Sequence, residues 1–295
     1  MNFENTKINI QWYPGHMTKS RREMESKMGL IDLVVEVCDA RAPLATLNPD
    51  FSSLFGQKKR MYILNKSDMA DPKATEAWLQ YFRSQGIFAV AYSALTGNPK
   101  ELQKSIRSCA QEIYDKYAKK GMKKTVRAIV CGIPNVGKSA ILNRLAGQKK
   151  LKEGNMPGVT RGLQWVKLDA YLELMDSPGM LPPKIVDMRS GVIIASIGSI
   201  RRDILDEEKL VQLLIEMLRE INPQALMNRY KLKELDENPI VVLEEICKQR
   251  GFYIMKGEVD YDRGITTLFE EFKNAKLGRI TLELPPKSEE ETDAE

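Results

Sequence analysis

Six short runs of apolar, largely β-branched residues punctuate the first 176 positions: Leu33–Cys38, Met61–Leu64, Ile87–Ala91, Val126–Cys131, Gln164–Leu168 and Leu172–Met175. Each has the length of a strand, and most are apolar throughout, as strands covered on both faces must be. Between them, Ala74–Ser84 and Lys100–Lys119 repeat apolar residues at helical spacing, the latter ending in Lys119-Lys120-Gly121 as a helix stop should. This alternation predicts an α/β domain with a six-stranded, mostly parallel sheet and helices on both faces. After Ser199 the β signal disappears, and Asp206–Ile221, Pro239–Arg250 and Gly264–Leu277 are amphipathic. The expected organisation is an α/β domain over 1–199, a small all-helical domain over 200–284, and an acidic tail over 285–295 with too little apolar content to fold.

Composition narrows the class without altering that plan. With 43% apolar and 29% charged residues, disordered, collagenous and disulfide-stapled classes are excluded. Residues 1–199 hold 30 Lys and Arg against 18 Asp and Glu, whereas 200–284 hold 14 against 17 and the tail one against five. A basic half suits a polyanionic partner, because cations that displace condensed counterions from a phosphate backbone gain entropy; a solvated basic surface is the alternative. Cys38, Cys109, Cys131 and Cys247 form no C-x-x-C pair and read as reduced structural thiols, and with His16 the only histidine a structural zinc site is excluded. The amino terminus lacks the pattern of a signal peptide, and the longest apolar stretch, near Val192–Ile200, is far short of a membrane span. A cytoplasmic monomer with no membrane partner is expected.

The chemistry concentrates in Gly132-Ile133-Pro134-Asn135-Val136-Gly137-Lys138-Ser139, a G-x-x-x-x-G-K-S phosphate loop standing between an apolar strand and a helical segment that opens at Ala140. Backbone amides of Asn135 to Ala140 would wrap the phosphates, Lys138 would neutralise the outer ones, and the Ser139 hydroxyl would bind magnesium. Asp176-Ser177-Pro178-Gly179 begins at the end of a strand 37 residues after Ser139. There Asp176 would hold magnesium through water and the Gly179 amide would face the γ-phosphate; alone, the motif would be an ordinary turn.

Asn65-Lys66-Ser67-Asp68 and Ser93-Ala94-Leu95 close two further strands. N-K-x-D resembles the guanine-recognition motif of GTPases, in which the aspartate accepts from the ring N–H and amino group of the base. In the same comparison a backbone amide of the S-A-L turn meets the base carbonyl. Adenine offers a donor where guanine offers an acceptor, so GTP and GDP are the expected ligands. The order is unusual: Asn65 precedes Gly132 by 67 residues, whereas most GTPases place the phosphate loop first. The domain therefore reads as a circularly permuted P-loop GTPase.

That order, together with Trp12-Tyr13-Pro14-Gly15-His16-Met17, Asp39-Ala40-Arg41-Ala42-Pro43 and Ile197-Gly198-Ser199-Ile200, resembles the ribosome-biogenesis GTPase A family over roughly residues 10–280. Leu181-Pro182-Pro183-Lys184 departs from the family pattern, which has a tryptophan before the second proline. The resemblance implies GTP hydrolysis coupled to maturation of the large ribosomal subunit, with precursor particles and their ribosomal RNA as partners, and hydrolysis slow until the particle stimulates it. It implies Mg2+ as cofactor, held by Ser139, Thr160 and Asp176, with Thr160 the switch threonine that completes coordination. It also implies K+, supported by Asn135, unless that residue only holds its own turn. Met180 occupies the position where many GTPases orient water with glutamine, which a thioether cannot do. The family points to His16 as the substitute; an RNA contact is the other reading of that loop. Arg41 either touches the nucleotide region or, as favoured, pairs with Asp39. Met24, Met28 and Leu30 read as helix packing. A non-catalytic guanine-nucleotide-gated RNA-binding module is the alternative function, and a phosphoryl-transferring kinase is disfavoured by the base-reading motifs.

Overall fold

The central strand, β2 (Leu33–Asp39), is buried at every position, as its apolar run requires. In the computed structural model, which describes residues 10–11, 15–147, 162–182, 184–185, 187–200 and 206–286, it lies in a six-stranded sheet. The sheet comprises β2, β3 (Lys59–Asn65), β4 (Phe88–Ala91), β5 (Val126–Cys131), β6 (Gln164–Asp169) and β7 (Leu172–Asp176), in the order β4-β3-β2-β5-β7-β6. All pairings are parallel except β6–β7, where the edge strand β6 runs antiparallel. A separate antiparallel pair joins β1 (Ile10–Gln11) to β8 (Lys184–Ile185). The chain builds β3 and β4 outward on one side of β2, then returns to place β5 on the other. Strand order therefore reverses between β2 and β5, the point at which open α/β sheets bind ligands beyond their carboxyl ends.

Helices α1 (Gly15–Lys27), α2 (Asp50–Phe55), α3 (Pro72–Ser84), α4 (Pro99–Cys109), α5 (Gln111–Ala118) and α6 (Lys138–Ala146) accompany the sheet. The start of α3 is dictated locally: Asp71 accepts from the Ala74 amide, Pro72 takes the first turn, and Trp78 and Phe82 face the core. The single helix expected over 100–119 is two, because the buried face of Leu102, Ile106 and Cys109 ends there and α5 has no fully buried residue. Met24 of α1 is core with Phe51, Ile129 and Met175, and Met28 packs at its margin, but Leu30 is exposed.

Beyond the sheet come α7 (Met188–Ser196), α8 (Glu207–Ile221), α9 (Pro223–Tyr230), α10 (Pro239–Arg250) and α11 (Tyr261–Lys273). The buried residues of α7, α8 and α11 belong to one apolar core that also takes in residues of β2, β5 and β7. Residues 279–284 leave the helices and return to the sheet domain. There the Leu282 amide donates to the Arg41 carbonyl at 2.7 Å, the Trp78 indole to the Glu283 carbonyl at 2.8 Å, and Arg279 to the carbonyls of Ala70 and Ser67. All four cysteines are buried and free. Among the described residues no helix is long and apolar enough to cross a membrane.

Candidate functional site

The carboxyl ends of β2, β3, β5 and β7 present Asp39, Asn65, the phosphate loop and Asp176 along one crevice. Asn65 ties its walls together. Its amide nitrogen donates to the Val136 carbonyl at 2.7 Å, and its oxygen accepts from the Ala94 amide at 3.0 Å. Two of the expected base-reading segments and the phosphate loop thus meet on one side chain, and the Ala94 amide is engaged by Asn65. Gly137 (φ +97°) leaves room for this: a Cβ there would lie 2.3 Å from the Asn65 amide nitrogen.

Beside Asn65, Lys66 sits in the left-handed region at φ +60° and pairs with Asp39 at 2.9 Å. The Asp39 carboxylate also receives Arg41 in a two-point fork, Nε to Oδ1 and Nη2 to Oδ2, both at 2.9 Å. Burial would raise the Asp39 carboxyl, but the adjoining Arg41 and Lys66 cations outweigh it and hold it well below the usual carboxylate range. Arg41 is 1% exposed, and its remaining nitrogen donates to the Phe272 and Lys273 carbonyls at the end of α11. Arg41 therefore pairs with Asp39. The reach to α11 is a long-range contact that no local pattern signals. Asp68 is half-buried, and among the described residues its carboxylate makes no hydrogen bond; Ser93 is buried, its hydroxyl accepting from the Thr96 amide at 3.1 Å.

On the phosphate side, Lys138 donates to the Gly132 and Ile133 carbonyls of its own loop at 3.2 and 2.8 Å. Burial pulls its pKa down to about 8, against the opposing attraction of Asp176. The Ser139 hydroxyl donates to Asp176 Oδ2 at 2.9 Å, and Asp176 is wholly buried. A hydroxyl and a carboxylate side by side are the hard oxygen donors that Mg2+ takes when phosphates and water supply the rest. Gly179 is pressed against the loop, since a Cβ would lie 2.7 Å from Pro134 Cα. Ala140 lies in the first turn of α6. Thr160 and the side chain of His16 lie outside the described residues; the His16 backbone opens α1.

Met180 is fully buried among Met24, Phe51, Phe55 and Met175. It is held there from both sides: its amide donates to the Gly132 carbonyl at 3.2 Å, and its carbonyl accepts from Asn48 at 2.8 Å. The Asn48 amide in turn donates to Glu36, whose carboxyl burial pushes up to about 7 against that hydrogen bond and Arg60. A second link reaches the helical region: Asn135 (φ +62°) donates its side-chain amide to the Gly198 carbonyl, and the Ser199 hydroxyl donates to the Pro134 carbonyl at 2.7 Å.

A phosphate loop at a strand-order reversal, with an asparagine joining it to the turns expected to read the base, fits a P-loop GTPase domain. The sequence comparisons agree with it. The family described as 50S ribosome-binding GTPase matches residues 127–245. The chain is 40% identical to ribosome biogenesis GTPase A of Priestia megaterium, covering 96% of this chain and 99% of that protein. It is 37% identical to the same protein of Bacillus cereus, over 96% and 97%. The crystal structure of GNP-bound YlqF from T. maritima superposes with a TM-score of 0.70 at 25% identity, covering 92% of this chain and all of that one. The chain belongs to the ribosome biogenesis GTPase A family, and it is a GTPase.

Proposed function

We propose that this circularly permuted GTPase is a cytoplasmic, monomeric assembly factor that binds ribosomal RNA on precursors of the large ribosomal subunit and promotes their maturation, with GTP hydrolysis stimulated by the particle. The observation that carries the reading is the junction at Asn65, which fixes base-reading and phosphate-binding segments to each other at the crevice. Asp68, with no competing hydrogen bond among the described residues, accepts from the guanine N–H and amino group. The turn at Ser93 and Ala94, held by Asn65, borders the base carbonyl. Lys138 exchanges its loop carbonyls for phosphate oxygens, and the amides from Asn135 to Ala140 complete the cradle. Mg2+, when bound, neutralises charge on the outer phosphates. Ser139, Thr160 and Asp176 are the residues to hold it, and Gly179 brings the switch backbone against the γ-phosphate. Asn135 keeps the loop shape through Gly198, and K+ is a further cofactor of the same site. His16 orients or deprotonates the attacking water, a task Met180 cannot perform.

Single-turnover cleavage of GTP, with and without large ribosomal subunits, tests the reading. The subunits should accelerate the step, and His16→Ala should retain GTP and subunit binding while slowing stimulated cleavage by roughly 10²-fold. Unchanged cleavage rates on adding subunits would contradict the assembly role. Lost subunit binding with normal turnover per complex would make His16 an RNA contact.

A further inference from the structure

A second cationic surface wraps the amino end of the sheet, away from the carboxyl ends that form the nucleotide crevice. Residues 116–127 contain six Lys and Arg and no acid. Of these, Lys116, Lys119, Lys120 and Lys123 are exposed and form no ion pair among the described residues. Lys167, exposed on the edge strand β6, is in the same condition.

This segment is fixed to the sheet rather than trailing from it. The Val126 amide donates to the Tyr171 carbonyl at 2.9 Å, Thr125 to the Ala170 carbonyl at 2.9 Å, and the Tyr114 hydroxyl to the Tyr171 carbonyl at 2.9 Å. Most acids nearby are already matched, Asp32 with Lys124 at 3.0 Å, Glu173 with Arg127 at 3.1 Å, Asp169 with Arg107 and Glu112 with Lys59, which leaves Asp115, accepting from Gln111, beside the four exposed lysines. The excess charge on this face is therefore uncompensated.

Aromatic rings stand among the cations. Tyr171, in the turn before β7, is 40% exposed, while Trp165, 43% exposed, lies farther along β6 opposite Met175. Arg127 lies 5.7 Å from the Trp165 ring centre and Lys124 lies 5.2 Å from that of Tyr117. Cations for a phosphate backbone alternating with exposed rings on which bases can stack are the two elements that unpaired nucleic acid needs. An acidic protein surface would use the lysines and leave the rings unexplained.

We propose that this surface at the amino end of the sheet, carried by Lys119, Lys120, Lys123 and Tyr171, is a docking surface for RNA with unpaired nucleotides, separate from the nucleotide crevice. It rests on the reading that the chain works on RNA, and it assigns where part of that contact is made. The test uses the full chain and three labelled probes followed by fluorescence anisotropy: a 12-nucleotide single-stranded RNA, an RNA duplex of equal length, and a poly-glutamate peptide. A Lys119→Glu, Lys120→Glu, Lys123→Glu triple variant should bind the single strand at least tenfold more weakly and lower the log–log salt slope by about 2. Tyr171→Ala, whose backbone contacts are kept, should weaken the single strand about tenfold and leave the duplex unchanged. GTP binding and basal hydrolysis of both variants should match the parent, which verifies the fold. Parent-like RNA affinity in the variants would overturn the surface and leave the assembly role standing. Lost peptide binding with RNA binding intact would make the face a protein contact. A parent that binds neither RNA probe would overturn both the surface and the reading beneath it.

Discussion

Lys66 and Lys138 stand at the two ends of one crevice and are held in opposite ways. Lys66 meets a full negative charge, Asp39, which a buried arginine already grips, and the arginine extends the network to the carbonyls closing α11. Lys138 donates to the carbonyls of its own loop and forms no ion pair among the described residues, with Asp176 attracting it more weakly than burial disfavours its charge. Burial lowers the pKa of both lysines, that of Lys138 to about 8. The base end is a closed ionic scaffold whose charges are spent on one another. At the other end the buried Lys138 has no ion-pair partner among the described residues, and on the proposed reading a phosphate supplies one. On the proposed reading, selectivity comes from rigidity at one end and affinity from a cation without an ion pair at the other.

The largest effect should follow from opening the scaffold. Asp39→Ala would leave Arg41 buried without its partner, and denaturant unfolding should show a loss of about 3–5 kcal/mol. A loss under about 1 kcal/mol would mean the base end is not built on charge. Next comes the phosphate end, where the sign of the pH dependence is distinctive. Because the folded pKa of Lys138 lies below the ordinary value of 10.5, the folded nucleotide-free chain releases its proton first. Its stability should therefore rise as pH climbs from about 8 toward 10.5. Affinity for GTP needs the ammonium and should fall by up to about tenfold per pH unit over the same range. Lys138→Arg, which does not titrate there, should lack that slope; an identical slope in both proteins would place the titrating group elsewhere. The smallest effect is expected at the link to Gly198 and Ser199. Ser199→Ala removes one buried hydrogen bond to Pro134 and should cost about 1 kcal/mol. A loss of several kcal/mol would mean that the phosphate end is as rigidly scaffolded as the base end.

What could be read from the chain was what neighbours in sequence determine. The six strands are short apolar runs, and the phosphate loop must lie between a strand and a helix because its amides have to point at one ligand. Helix α7 escaped because Val192–Ser196 is buried on all sides and carries no amphipathic period. The turn that ends α4 was hidden because apolar spacing continues past it. The course of residues 279–284 back to Arg41, Trp78 and Ala70 is decided by partners some 200 positions away. At the site, motif spacing pointed to Asn65, Lys138, Ser139 and Asp176, but the contact of Asp39 with Lys66 depends on two parallel strands lying in register. The sequence showed only that Met180 cannot orient water; its burial, with Asn48 holding its carbonyl, depends on contacts some 130 positions apart.

If a rigid base end makes the crevice a guanine site through Asp68, titration of nucleotides against the parent and Asp68→Asn will show it. The parent should bind GTP at least 10²-fold more tightly than ATP, because adenine leaves buried polar groups unpaired. Asp68→Asn should lose GTP affinity and gain affinity for xanthosine triphosphate, whose 2-oxo group accepts from the new amide. Equal binding of GTP and ATP by the parent, or an unaltered preference in the variant, would contradict the account.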